Sequence, residues 1–126
     1  MTIIEVLFAV VILSGVMLAL ARFGQGFTRA TRNAAYLTVA SDLAAARLEA
    51  IKTHGVYATL VGFHGSSETS ASNDANPSMS GYDGYTRSTA AVRTVTDSTD
   101  YVTVTVTVTA DVLTVPMKKT VVIARF

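Results

Sequence analysis

Residues 1–21 read MTIIEVLFAVVILSGVMLALA, an apolar run in which Glu5 is the single charged side chain. As an α-helix rising 1.5 Å per residue, the run is roughly 31 Å long, which is about the hydrocarbon thickness of a bilayer. A carboxylate inside such a segment costs on the order of 2.5 to 3.5 kcal/mol at mid-bilayer, so it usually serves to meet a partner. The run predicts a membrane-spanning helix, and Glu5 is its candidate functional residue.

These residues also resemble a known family. A polar Thr2, two aliphatic residues, Glu5 and a long apolar stretch resemble the mature N-terminus of type IV pilins and pseudopilins, and the resemblance covers residues 1–23. It implies a precursor with a basic leader, which a prepilin peptidase cuts just before Met1 and which is often N-methylated there. It also implies that an inner-membrane assembly platform extracts the subunit from membrane lipid into a helical filament made of copies of this chain, outside the cell.

Glu5 and Met1 are the expected assembly residues. With Met1 as the mature residue, its α-amine and the Glu5 carboxylate can neutralise each other, within one chain or between neighbouring subunits. We therefore expect Glu5 to select the correct register of a docking subunit.

The flank of the apolar run is basic, with Arg22, Arg29 and Arg32. The positive-inside rule would place this flank in the cytoplasm, whereas a pilin has it outside. A basic leader before Met1 would place positive charge at the other end of the apolar run and so oppose the orientation that this flank favours. The alternative for the segment is a signal anchor or an uncleaved signal peptide, which would have no use for Glu5.

Small residues interrupt the predicted helix at Ser14 and Gly15 and again at Gly24 and Gly26. Each glycine costs up to about 1 kcal/mol in a helix interior. We expect regular helical hydrogen bonding to lapse somewhere between residues 14 and 26 in an assembled fibre. Close helix packing through Gly15 is the other interpretation of the same residues.

The rest of the chain predicts an α+β head, residues 27–126, behind a hydrophobic helix at 1–26. Small and apolar side chains at helical spacing predict an amphipathic helix over 27–54, stopped by Gly55.

Residues 64–85 are rich in Ser, Gly, Asn and Asp and predict an exposed loop. Residues 86–126 predict antiparallel strands, most clearly YVTVTVTVT at 101–109. The expected fold is a long N-terminal helix packed on a small antiparallel sheet. Apolar residues of the predicted helix form two neighbouring rows: Ala30, Ala34, Leu37, Ala44, Leu48 and Ile51, with Tyr36, Ala40 and Leu43 beside them.

Composition argues against several function classes. The 126 residues carry a net charge of +1, which is too small a footprint to suggest nucleic acid as a partner, and they include no cysteine. His54 and His64 are the only histidines, and no nucleotide-binding, metalloprotease or nucleophile motif occurs, so we expect neither an enzyme nor a cofactor. Calcium at Glu68, Asp74 and Asp83 is a minor alternative to a solvated loop, because their spacing follows no EF-hand pattern.

The sequence thus predicts a structural protein that polymerises into a type IV pilus-like filament, with roles such as adhesion, motility or secretion left open. We favour the main filament subunit. The alternative is a minor pilin or a type II secretion pseudopilin, towards which Met1 in place of Phe and Arg22 in place of a proline point. A bitopic, membrane-anchored binding domain is a further alternative.

Overall fold

A computed structural model describes residues 2–71 and 78–125 of the chain. Helix α1, Ile3–Lys52, contains 50 residues. Its length is consistent with the absence of proline before residue 77. Glu5 in the first turn and Lys52 in the last turn have the charges that the helix dipole favours at each end. Just after the helix, the backbone N–H of Thr53 donates to the Glu49 carbonyl at 3.0 Å, so the end lies close to the predicted stop at 54.

Internal contacts divide the chain into two units, residues 1–35 and 36–126, and α1 contributes to both. The first unit is helical from Ile3 onwards. The second contains the remainder of α1, a 3-10 helix at Tyr57–Phe63 and a sheet.

The sheet has four strands in the order β1-β2-β3-β4, and every neighbouring pair is antiparallel. Its strands are Ser66–Thr69 (β1), Tyr85–Val95 (β2), Asp100–Ala110 (β3) and Met117–Ala124 (β4). The C-terminal part of α1 packs on this sheet, which confirms the predicted α+β fold.

The core of the second unit lies between one face of the sheet and the end of α1. The four alternating valines of β3 are each 0% exposed, while the threonines between them are half-buried or exposed on the other face. On the helix, the buried positions recur every three or four residues, so they lie on one side. The buried apolar residues of α1 are Ala40, Leu43, Ala44, Leu48 and Ile51.

The helix face is buried over a shorter length than the sequence predicts. Ala30 and Ala34 are exposed and Leu37 is only half-buried, so burial begins at Ala40. Arg47, which the apolar rows do not include, belongs to the buried set. Arg47 can be buried because the carboxylate of Glu68, in the sheet, forms an ion pair with it.

The predicted loop 64–85 also differs from the structure. Ser66–Thr69 forms β1, an edge strand paired with β2, and Met79 is 0% exposed in the core. Backbone pairing with β2 gives this polar segment its strand conformation, because its own side chains carry no apolar alternation. Residues 72–77 of that loop lie outside the described residues, as does the last residue of the predicted strand region, Phe126.

Candidate functional site

The first unit exposes the side chains of all its described residues. Every described residue up to Tyr36 is exposed, including large apolar residues that an ordinary soluble domain would bury. Within the described ranges, α1 is a helix long and apolar enough to cross a membrane, and it lies near the N-terminus. The exposed large apolar residues of this unit are Ile3, Ile4, Val6, Leu7, Phe8, Val10, Val11, Ile12, Leu13, Val16, Met17, Leu18, Leu20, Phe23 and Phe27.

Glu5 lies in the first turn of this apolar helix. Its backbone N–H donates to the carbonyl of Thr2 at 3.0 Å, so the backbone at this position is satisfied locally. No ion pair reaches its carboxylate from residues 2–71 or 78–125. The first basic residue along the helix is Arg22, about 25 Å away at 1.5 Å per residue. Met1, the expected partner and methylation site, lies outside the described residues.

The small residues of the first unit lie in uninterrupted helix. Ser14 donates its hydroxyl to the carbonyl of Val10 at 2.7 Å, a bond within the same helix. A Cβ placed on Gly15, Gly24 or Gly26 would meet no other atom within 4 Å. The described part of the chain therefore gives no packing reason for these glycines. The lapse of helical bonding, which we expect in a fibre, stays a prediction.

The second unit contains a buried ion cluster that the sequence analysis did not find. Glu68 of β1 accepts from Arg87 of β2 at 2.6 Å (Nε to Oε2) and from Arg47 of α1 at 2.8 Å (Nη2 to Oε1). The side chains of Glu68, Arg47 and Arg87 are 9%, 8% and 0% exposed. Arg87 also donates from Nη1 to the carbonyl of Leu43 at 3.4 Å. The cluster thus connects the helix, the edge strand and the central sheet.

Arg47 is held by more than its carboxylate. Its guanidinium carbon lies 5.3 Å from the centre of the Phe63 ring, within cation–π distance. Burial lowers the pKa of Arg47, and the Glu68 carboxylate opposes that shift by favouring the charged form. The sequence contains one signal of this cluster. Arg47 follows Ala44 by three residues and Leu43 by four, so an arginine lies within the apolar helix face.

A second, more exposed cluster joins the 3-10 helix to the adjoining ends of β2 and β3. Asp100 accepts two bonds from Arg93, at 2.8 Å from Nε and 2.6 Å from Nη2, and a third from the Tyr57 hydroxyl at 2.9 Å. The bonds from Arg93 lower the pKa of Asp100 to about 2. In the opposite sense, burial and the bond to Asp100 raise the pKa of the Tyr57 hydroxyl.

The two histidines and Glu68 have hydrogen-bond or ion-pair partners within the second unit. His54 lies 2.7 Å from the Thr59 hydroxyl, and His64 Nδ1 accepts the backbone N–H of Ala91 at 3.2 Å. Glu68 is engaged by two arginines instead of being a calcium ligand, and Asp74 lies outside the described residues. Where the structure describes the chain, no three His, Asp or Glu side chains group as a metal would require.

No protein-family model matches the chain, and no curated protein or solved structure shows a significant similarity to it. The family resemblance of residues 1–23 therefore remains an expectation from the sequence motif.

Proposed function

We propose that this chain is a structural subunit that polymerises into an extracellular, type IV pilus-like helical filament. The observation that carries the proposal is the fully exposed apolar helix of the first unit, with Glu5 in its first turn. Burying one large apolar side chain stabilises by roughly 1.5 to 3 kcal/mol, so this helix has on the order of tens of kcal/mol to gain from leaving water.

Two environments satisfy such a helix, lipid and a bundle of identical helices. Lipid alone explains the apolar side chains, but it disfavours Glu5. A bundle explains both, because a neighbouring subunit can bring a cation to Glu5 while its apolar side chains cover the rest. We therefore assign the membrane to the state before assembly and the filament core to the state after it, with the α+β unit on the outside.

The proposal assigns no chemical reaction to the chain, and the work of assembly comes from other components. We favour the main filament subunit; a minor pilin or a secretion pseudopilin would use the same helix in the same way. Prepilin peptidase and the assembly platform are the expected partners in the inner membrane.

Substitution of Glu5 tests the proposal. Glu5→Gln keeps size and helix propensity but removes the charge, so the protein should still fold and enter the membrane while fibres become rare. The measurement is fibre yield after shearing, by electron microscopy and immunoblot, together with the amount of subunit in the membrane fraction.

Glu49→Gln is the matched control. Glu49 is an exposed carboxylate on the same helix, its ion pair among the described residues is with Lys52 at 2.8 Å, and its loss should leave fibre yield unchanged. Normal fibres from Glu5→Gln would remove the assembly role and favour a signal anchor. Failure of the unsubstituted chain to form fibres in a cell with the assembly machinery would instead favour the membrane-anchored binding domain.

A further inference from the structure

The apolar helix is followed by a set of arginines that the filament proposal does not use. Arg22, Arg29 and Arg32 are all exposed, and none of them takes part in an ion pair within the described ranges. The sequence contains no Asp or Glu between Glu5 and Asp42, so nothing on this stretch of helix compensates the three charges.

The three arginines lie along one side of α1. Their spacings of seven and three residues return to the same side of a helix, and Gln25 falls on that side between Arg22 and Arg29. Phe23 and Phe27 lie at least about 100° around the helix axis from Arg22. Their rings are stacked, with centres 6.5 Å apart. We call Arg22, Gln25, Arg29 and Arg32 the arginine stripe. The helix here is basic on one side and aromatic on the other.

The position of the stripe along the helix matches a membrane surface. Ile3 to Ala21 measures about 28 Å, close to the hydrocarbon thickness, so Arg22 stands where the helix leaves the apolar layer. Arg29 lies about 10 Å farther along the axis and Arg32 about 15 Å farther. Side chains on a helix lean towards its N-terminus, so both guanidinium groups can extend back towards the membrane. The polar headgroup layer is about 5 to 8 Å deep on each side, so Arg22 lies within it, whereas Arg29 and Arg32 meet its outer surface by extending back.

We propose that the arginine stripe binds the phosphate groups of anionic phospholipids at the surface where α1 leaves the membrane. Guanidinium forks match phosphate oxygens with two parallel N–H donors, which ammonium groups do not. Lipid is the favoured source of phosphate because the stripe is continuous with a membrane-length apolar helix, and because the chain's net charge of +1 gives no wider surface for a polyanion.

The inference rests on the membrane-anchored state of the proposed function but not on polymerisation. The arginines could bind lipid phosphate groups on whichever side of the membrane the flank lies. The positive-inside rule, by contrast, treats the same arginines only as a topology signal. Bound lipid would hold the subunit at one depth, with Glu5 at a fixed height for the next subunit.

Lipid selectivity of the full chain in bilayer discs provides the test. Spin-labelled phosphatidylglycerol and phosphatidylcholine are compared for the fraction that the protein immobilises. An arginine near an anionic surface contributes about fivefold. The unsubstituted chain should therefore prefer phosphatidylglycerol, and the triple variant Arg22→Gln, Arg29→Gln, Arg32→Gln should lose the preference. The control variant Lys118→Gln, Lys119→Gln, Arg125→Gln removes the same charge from the sheet region and should keep it.

Two further arms separate the alternatives. Replacing the three stripe arginines by lysine keeps the charge but removes the paired N–H donors, so the preference should fall below that of the unsubstituted chain; an undiminished preference in this variant would overturn recognition by the guanidinium forks. Inorganic phosphate should reduce the preference no more than chloride at equal ionic strength, and a much larger reduction would identify a site for free anions instead of lipid. Equal loss in the stripe and control variants, or no preference in the unsubstituted chain, would also overturn the inference.

Fibre yield of the same unsubstituted chain distinguishes this result from the filament proposal. Lipid preference without fibres removes the filament and leaves the lipid site. Fibres without lipid preference would keep the filament proposal and remove the lipid site.

Discussion

Glu5 and Glu68 lie in regions of the chain that satisfy a carboxylate in different ways. Glu68 is 7% exposed and receives two arginines of its own chain. Glu5 stands on an exposed apolar helix, without an ion pair in the part of the chain that the structure describes. The first carboxylate contributes to a fold that is complete within one chain. The second has no cation beside it in the described part of the apolar helix, which is the basis for proposing a second subunit as its partner.

The same contrast holds for apolar side chains. Ile51 is 1% exposed against the sheet, whereas Ile12, in the same helix, is 65% exposed. Both belong to α1, so helix formation does not separate them. What separates them is whether this chain supplies a surface to cover the side chain.

The largest effect is expected at Glu68. Glu68→Gln takes from the buried Arg47 and Arg87 the carboxylate with which each forms an ion pair, which should lower the free energy of unfolding of the second unit by about 3 to 5 kcal/mol. Chemical denaturation of the full chain in detergent, followed by tyrosine near-ultraviolet circular dichroism, measures it. Glu49→Gln, in an exposed pair, should cost under about 1 kcal/mol. Equal effects of the two variants would show that the buried cluster does not stabilise the fold.

A smaller loss is expected from the core, and it compares the two regions directly. Ile51→Ala should lower the free energy of unfolding of the second unit by about 2 to 5 kcal/mol, because it removes buried methyl groups and leaves a cavity. Ile12→Ala makes the same chemical change where the residue is 65% exposed, so the same denaturation curve should move little. A comparable shift for Ile12→Ala would mean that the first unit is buried within a single chain after all.

The smallest effect concerns acid stability and the cluster at Asp100. Its pKa is lowered from 3.8 to about 2 chiefly by the Arg93 hydrogen bonds, so the folded state favours the ionised carboxylate. This contribution is present above pH 3.8 and is lost as the pH falls towards about 2. The Asp100→Asn variant should therefore be less stable than the unsubstituted protein at neutral pH, and the difference should shrink over that range.

Thermal unfolding in a pH series measures this difference. Asp97→Asn, in the turn just before β3 and without an ion pair among the described residues, is the control and should give no such pH-dependent difference. A gap between Asp100→Asn and the unsubstituted protein that stayed constant down to pH 2 would contradict ionisation as its cause.

Most of the fold follows from local patterns in the sequence. The apolar run with no proline predicts the first half of α1, and the Val/Thr alternation at 101–109 predicts β3 with its buried face. These predictions succeed because helix and strand periodicities are local properties. The isolation of Glu5 is also a sequence property, since the next charged residue is Arg22. The assembly role inferred from it remains a prediction.

Other features depended on partners distant in sequence. SSET at 66–69 has no strand pattern and becomes β1 only by pairing with β2. Arg47 interrupts an apolar helix face and becomes a core residue only because Glu68 lies beside it. Ala30 and Ala34 fit the helical apolar pattern but remain exposed.

The sequence by itself therefore determined the long helix, strand β3 with its buried face, and the charge pattern of the apolar helix. Only the tertiary structure decided where burial on α1 begins and which charges are neutralised within the chain. The physical reason is that a side chain's periodicity fixes the direction in which it points, whereas burial and ion pairing depend on what another segment places there.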